Sequence, residues 1–520
     1  MAHSRRDFLK AASAAALSLA GRGLPFGGLA ALPGIDAYPR AGEKDLEELA
    51  ARALEAARAA GATYADVRFT LRRVEEITVP SLGSYHHLRD EELAGVGVRA
   101  LVDGAWGFAS SALWAPDEMA RLAREAVAQA RTNARAGARR IELDAPPPPA
   151  RAEWKTPIER DPFDVPLVER IEVPWALMEQ ATRYNLGARN ASASASIRTQ
   201  WERQERTFAS TEGAFLSQTL YYAAPRLTIF VRVHPHRVGA RSSDVLRPCA
   251  GGWEVLARAP VLEELPRLIE EAYLSAGAEN IVPDRYDVVV DARVMAQLVG
   301  RTIGVAAELD RVLGFEANAG GTSYLAPPAE MLGTFQLGPE LLNVRANRSR
   351  PEGLATIRWD DEGVEPEEYD VIRDGVLVDY HTTRDLAGEL RDWYAARGRP
   401  ARSHGCASSE DARSVTLLHP PNLELAPGPG TATLEDLAST LEKGLVICAG
   451  SVTVDRQQLN GEINGEMVYE VRRGKRTRFL GNSEVLFRAP ELWKSLKALG
   501  GAGTQYWTGL EVPKGQPAQL

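Results

Sequence analysis

Between Glu43 and Arg139 the apolar residues change period along the chain, and that order restricts the fold more than any single motif does. Leu46, Leu49, Ala50 and Leu54 recur at helical spacing and Gly61 supplies a stop, so Glu43–Gly61 is predicted as an amphipathic helix. Val67, Phe69 and Leu71 then alternate, with Val74 further on, which predicts a strand over residues 65–79. Gly95–Ala109 (GVGVRALVDGAWGFA) is predicted as a hairpin turning at Asp103-Gly104. Pro116–Arg139 is predicted as a second long helix. Helices that need one face buried and strands that alternate can satisfy each other only by layering, so the chain must mix the two classes.

The rest of the chain continues the mixture. The proline run Pro146–Ala150 is a loop. Residues 165–186 are predicted as a helix, residues 192–237 as successive strands with β-branched density at Leu227–Val233, and Leu262–Gly277 as a helix. A domain boundary is placed near Asn280–Asp284. Beyond it the chain is β-rich: a buried strand at Tyr286–Asp291, short strands and turns over Gly353–Gly375, and strands at Val415–Leu418, Leu445–Val454 and Met467–Arg473. Helices are expected from about Arg293 to Leu313, at Glu435–Leu441 and at Ala489–Leu499. The expected class is α+β, with an N-terminal α/β domain over 36–282 and a β-rich C-terminal domain over 283–520.

Residues 1–35 are set aside as an export signal. Arg5-Arg6-Asp7-Phe8-Leu9-Lys10 precedes an apolar, alanine-rich stretch from Ala11 to about Leu32, the pattern of a twin-arginine leader. Gly, Pro and Arg22 interrupt that stretch short of a membrane span, and no other segment is long and apolar enough to be one. The expectation is a soluble, folded, exported protein, periplasmic in a host with two membranes, without stable membrane insertion. A net charge of −9 with interspersed charges gives no clustered basic face for nucleic acid. Three widely spaced cysteines (Cys249, Cys406 and Cys448) are not a disulfide framework, and are expected as small buried side chains.

The most specific segment is Gly300-Arg301-Thr302-Ile303-Gly304-Val305 followed by Ala306–Leu325. Its second half carries Glu308, Leu309, Asp310 and Arg311, then Phe315, Glu316, Ala317 and Asn318, then Gly321, Thr322, Ser323 and Tyr324. This order resembles the TldD/PmbA metallopeptidase family, also called the modulator-of-DNA-gyrase family. Further elements resemble it too: Trp359–Val364 as its acidic turn, Asp374–Leu377 and Thr383–Ala387 as the following hairpin and helix, and Ser403–Ala407 with His404 in place of an asparagine. Pro421–Leu425 with Pro427-Gly428, and the tail Lys514–Pro517, complete the series.

The resemblance implies zinc held by two helix histidines and a tail cysteine, with a glutamate beside the first histidine as general base on the metal-bound water. Here Gly300 and Val305 stand at the histidine positions, Arg301 at the glutamate and Val512 at the cysteine. None can ligate, and Arg301 would repel a divalent cation. No metal and no cofactor is therefore expected at these positions. Glu308, Asp310, Arg311, Glu316, Asn318, Thr322, Ser323 and His404 are the candidates for lining a substrate cavity. The resemblance further implies a dimer around an enclosed cavity, formed with an intact zinc-bearing homologue or with a second copy, and unfolded peptides as its occupants.

Other clusters are weaker. His234 and His236 fall two apart on an expected strand, a spacing that can bind metal but has no third ligand nearby. Asp360, Asp361 and Glu362 have the composition of a calcium loop, but are better expected as a solvated acidic turn. His404 is expected in a turn. No Gly-x-Ser-x-Gly elbow is present, so Ser323 is expected as structural or substrate-facing. A metallopeptidase with a rearranged site using His404, Cys406 or the His234/His236 pair, and a peptide-binding protein without catalysis, remain the alternatives to a non-catalytic subunit.

Overall fold

In a computed structural model the described residues are 42–520, apart from 80–86, 138, 145–149, 185, 187–188, 482, 516–517 and 520. The expected leader, most of the proline run, His86, Gln516 and Pro517 lie outside them. Two helices, α1 (Glu43–Ala59) and α2 (Pro116–Arg135), lay their apolar stripes on one face of the strands β1 (Tyr64–Val79), β2 (His87–Val102) and β3 (Ala105–Ser111). The β2–β3 turn falls at Asp103-Gly104, both at positive φ, as a tight hairpin requires. The sheet continues through β4 (Arg151–Lys155), β5 (Ala191–Ser210), β6 (Phe215–Ala223), β7 (Arg226–Val233), β8 (Arg237–Ser242) and β9 (Cys249–Ala250). Its order is β3-β2-β1-β5-β6-β4, with β7 pairing β5 and β8, and β9 pairing β6. Helices α3 (Leu167–Arg183) and α4 (Val261–Ser275) cover the part around β5, β7 and β8.

Two glycines set how closely helix and sheet approach. A Cβ at Gly107 would stand 1.9 Å from the Ala126 carbonyl oxygen of α2, and one at Gly239 would stand 1.9 Å from that of Ala272 in α4. Both strands accept a helix backbone directly against them, a contact closed to any larger residue.

The remaining sheets draw their strands from residues 287–488. One contains β10 (Asp287–Val290), β17 (Lys443–Val454), β18 (Asn460–Arg472), β19 (Lys475–Phe479) and β20 (Ser483–Arg488), with β10 at its edge and parallel to β17. A second has the order β13-β12-β11-β16, from β11 (Val344–Asn347), β12 (Tyr369–Arg373), β13 (Val376–Leu377) and β16 (Asn422–Leu425). The short pair β14 (Ala407–Ser408) and β15 (Leu417–Leu418) stands apart. Helices α5 (Ala292–Val299), α6 (Leu309–Val312), α7 (Leu434–Ser439) and α8 (Ala489–Lys494) are among those of this half, which shares one apolar core containing Leu298, Ile303, Leu309, Tyr380 and Trp493. The architecture is α+β, and residues 44–520 form one unit.

Several expectations are corrected. The strand at Tyr286–Asp291 is not buried: β10 is an edge, and its residues are half-buried or exposed. Within Gly353–Gly375 only Tyr369–Arg373 forms a strand. His234 and His236 sit in the turn between β7 and β8 rather than on a strand. The Asp360–Glu362 turn is not solvated. Val67 and Phe69 of β1 lie under the helices, while the alternate residues Asp66 and Arg68 face this turn, so β1 is covered on both sides. Arg68 and Arg206 pair with Asp361 at 2.8 and 3.1 Å, and Arg99 bridges Asp66 and Glu362 at 2.8 and 3.0 Å. Burial pushes the Asp361 carboxyl up, but Arg206 and Arg68 hold it below its usual range. These ion pairs weld the nine-stranded sheet to the second half. Cys249 and Cys406 are buried free thiols, whereas Cys448 is only half-buried.

Candidate functional site

Helix α5 is started by Asp291, whose carboxylate accepts the Val294 N–H at 3.0 Å. It does not run on to Leu313 as its period predicts. Gly300–Gly304 forms a π turn, closed by Val305 N–H donating to the Gly300 carbonyl at 2.9 Å. Tertiary contacts hold it. Tyr324 OH donates to the Thr302 carbonyl at 2.7 Å, and the Trp493 indole N–H donates to Thr302 Oγ1 at 2.9 Å. At roughly 100° per residue an α-helix would set positions 300 and 305 about 140° apart. The five-residue turn stacks them on one side instead.

After Val305 the chain leaves the helix. Ala307 and Leu309 bond to the backbone of His381, and α6 follows as a single turn. This places Glu308, Asp310 and Arg311 in a buried ionic seam with Lys514 of the C-terminal tail, at 0, 7, 1 and 2 % exposure respectively. Lys514 Nζ lies 2.5 Å from Glu308, 2.7 Å from Asp310 and 2.6 Å from the Leu418 carbonyl, while Arg311 holds the same Glu308 oxygen at 2.6 Å. Glu316 accepts the Gly515 N–H at 3.1 Å. The seam fixes the tail, and with it Val512.

Gly300, Val305 and Val512 converge on one cavity of about 970 Å³. Its walls are the edge strands β10 and β16, one face of α5, and a strap over residues 499–512. Tyr506 OH donates to the Asp244 carbonyl at 3.1 Å, Gly509 N–H to Pro248 at 3.1 Å, and Arg247 lies 3.9 Å above the Trp507 ring, which hold the strap down. The other candidates do not line this cavity. Glu308, Asp310, Arg311 and Glu316 belong to the seam, Asn318 is exposed, Thr322 is tied to Arg456 through its backbone, and Ser323 Oγ donates to the Ala306 carbonyl at 2.6 Å.

With this geometry the chain was compared with known proteins. The model of the PmbA/TldA metallopeptidase C-terminal domain matches residues 283–517, and that of PmbA/TldA metallopeptidase domain 1 matches residues 65–130, together more than half of the chain. The chain belongs to the PmbA/TldD family.

Two metalloproteases of archaea are related to this PmbA/TldD chain. That of Methanothermobacter thermautotrophicus is 24% identical over 335 residues, covering 63% of the chain and 66% of the relative, just under two thirds of its length. That of Methanocaldococcus jannaschii is 21% identical over 343 residues, covering 65% and 69%. Three solved structures share the PmbA/TldD fold. A protein named for modulation of DNA gyrase from Bacteroides thetaiotaomicron has 15% identity and a TM-score of 0.65, covering 87% of this chain and 93% of its own. One from Thermotoga maritima has 17% identity and a TM-score of 0.64, covering 88% and 95%. TldE from Thermococcus kodakarensis has 15% identity and a TM-score of 0.60, covering 88% and 94%.

The residues present in this PmbA/TldD chain do not fit a zinc ion at the positions the family uses. Glycine brings no side chain and valine no lone pair, so the π turn lacks a donor at the two positions, and the tail at the one, that the resemblance assigns to zinc ligands. Among the described residues, no group of three or more His, Cys, Asp or Glu side chains is placed to hold a metal. Arg301 is half-buried and has, among the described residues, neither a carboxylate, a carbonyl nor an aromatic ring as partner, and burial pulls its pKa down.

His404, beside the bend at Gly405, is buried. Its ring stacks on Tyr369 at 3.8 Å, meets Tyr394 OH at 2.9 Å, and has Asp379 at 3.3 Å and Glu367 at 3.8 Å. Burial lowers the His404 pKa, but Asp379 and Glu367 raise it more, so the net shift is upward. His381, on the other side of Tyr369, is driven down to about 3 by burial. Cys406 Sγ lies 3.6 Å from Tyr369 OH, and burial pushes its thiol up, which makes it an inert core residue rather than a nucleophile. Sequence reasoning missed Asp379, His381 and the strap. The strap carries no periodic signal, and the two polar residues lie between the motifs.

Proposed function

We propose that this chain is the non-catalytic subunit of an exported peptide-degrading complex, in which an intact zinc-bearing homologue performs the cleavage. The observation that carries the reading is the contrast within one segment. The π turn and the tail anchor that would present three zinc donors are both kept, while the donors are replaced by Gly300, Val305 and Val512. The twin-arginine leader supports export of the folded protein to the periplasm.

An unfolded peptide is the occupant proposed for the cavity. Asp291 N–H bonds to Ile447, so alternation turns the backbone groups of Val288 and Val290 away from β17. Ala426 N–H bonds to Asn343, so those of Leu423 and Leu425 turn away from β11. All four residues line the cavity, and unpaired strand edges are templates for an extended chain.

The deciding experiment is digestion of an unstructured peptide by the mature chain alone, with zinc and with chelator, and then with the intact homologue added. No cleavage alone and cleavage only with the homologue is the expected result. Chelator-sensitive cleavage by the chain alone would overturn the reading in favour of a rearranged metal site. Binding of peptide without any effect on a homologue's activity would instead make the chain a peptide-binding protein.

A further inference from the structure

The loss of zinc donors also changes what the cavity prefers. Gly300, Val305 and Val512 line the cavity together with Leu298, Leu423 and Leu510, so the positions the resemblance assigns to metal ligands carry no polar side chain. A Cβ at Gly300 would stand 2.7 Å from Leu510 Cδ2, so the strap closes onto the position a ligand side chain would occupy. The charged residues of the lining are matched among themselves or with neighbours. Asp287 pairs with Lys497 at 3.5 Å and Arg350 with Glu424 at 3.7 Å. Arg293 holds both Asp291 and Asp244, and Asp244 also pairs with Arg241 and Arg267. Among the described residues, each charged side chain of the lining has a partner of opposite sign.

We infer that the cavity selects extended peptide segments with uncharged aliphatic or aromatic side chains, and that Gly300, Val305 and Val512 form the selecting patch. This rests on the peptide-receiving reading above and names the class of peptide. A Lys or Glu side chain set against Gly300, Val305 and Val512 would give up hydration to aliphatic neighbours, whereas an apolar one exchanges water for the aliphatic wall. The outward edges of β10 and β16 offer backbone groups to an extended occupant, and the aliphatic wall favours an apolar one.

The test is fluorescence anisotropy on the purified mature chain, with three labelled dodecapeptides at nanomolar concentration that alternate Thr with Leu, with Lys or with Glu. The Leu peptide is expected to bind at least tenfold more tightly than either charged one. Val512→Asp is expected to weaken the Leu peptide at least tenfold, while Val512→Ala keeps the order of the three. Equal affinity for all three peptides overturns the selection and leaves the peptide-receiving reading intact. Absence of binding by any of them overturns that reading itself. Unchanged affinity in a folded Val512→Asp protein places the binding elsewhere and also overturns the inference. Should Val512→Asp fail to fold, the peptide series on the unaltered chain decides alone.

Discussion

The seam of Glu308, Asp310, Arg311 and Lys514 and the face of Gly300, Val305 and Val512 are built from the same two segments of chain, yet they differ in kind. In the seam both cations are bonded to buried carboxylates, and Lys514 also reaches a backbone carbonyl. On the face no donor is left. The difference follows from what each loss costs. Removing one member of a buried ionic set strands the others without water or partner, at about 3–5 kcal/mol. Replacing a metal ligand by glycine or valine on a cavity wall strands nothing. Folding therefore holds the seam in place whatever residues stand on the neighbouring face.

The largest effect is expected at Lys514. Lys514→Met leaves Glu308 and Asp310 buried against Arg311 alone, and a loss of about 3–5 kcal/mol in urea unfolding is expected. The same variant frees the tail, so Val512 and the strap should become sensitive to protease at concentrations that spare the parent. A loss below about 1 kcal/mol, the range of exposed ion pairs, would mean that the seam is solvated and does not explain the tail's position.

The next largest effect restores what the face has lost. If the π turn and the anchored tail still present the geometry, Gly300→His, Val305→His and Val512→Cys together should bind zinc at one equivalent per chain. At a free zinc concentration 100 times the dissociation constant, the gain is about 2.7 kcal/mol, read as a zinc-dependent rise in melting temperature. Leu510 Cδ2 is the atom nearest a new side chain at position 300, and as the end of a flexible side chain it can move. Absence of stoichiometric zinc by elemental analysis would mean that the frame has drifted as well as the donors.

Much of this frame was legible in the sequence, and the reasons for the gaps are physical. The helix–hairpin–helix start follows from period, and the hairpin turn from Asp103-Gly104. The π turn was not legible. Its one extra residue changes the period over a single turn, and its cause lies in Trp493 and Tyr324, which no local pattern connects to Thr302. The acidic turn at Asp360–Glu362 was taken for a solvated loop because its partners Arg206, Arg99 and Arg68 lie between 155 and 293 residues away. For the site, the three emptied positions were legible as a set because they stand in a recognisable order. That Glu308 and Asp310 face Lys514 rather than the cavity was not, since an acidic residue has the same letter in a seam and in a pocket.

A smaller effect separates His404 from both regions. Its folded pKa is raised, so its contribution to stability is fully present below the unfolded value of about 6.5 and is lost as pH rises through the folded pKa. His404→Asn, which restores the residue the family resemblance expects, should remove that slope. The parent should exceed the variant by about 1.5–3 kcal/mol at pH 5.5, as for a hydrogen bond to a charged group, and the gap should close towards alkaline pH. Parallel stability curves for the two proteins would show that Asp379 and Glu367 do not hold a proton on His404.

The smallest effect is expected at Arg301, which is next to Gly300 in the chain but shares the seam's problem of a charge taken partly out of water. The seam solves it with carboxylates, and Arg301 has none. A half-buried guanidinium without a partner costs more than a flexible apolar chain of similar length, so Arg301→Met should leave stability unchanged or raise it by up to about 1 kcal/mol. The opposite sign is expected for Arg311→Met, since that cation closes the seam on Glu308. If Arg301→Met instead destabilises the isolated chain as Arg311→Met does, Arg301 is paired in solution, and the emptied face holds a charge balance of its own. If it destabilises only in the presence of the zinc-bearing homologue, the missing carboxylate belongs to that partner.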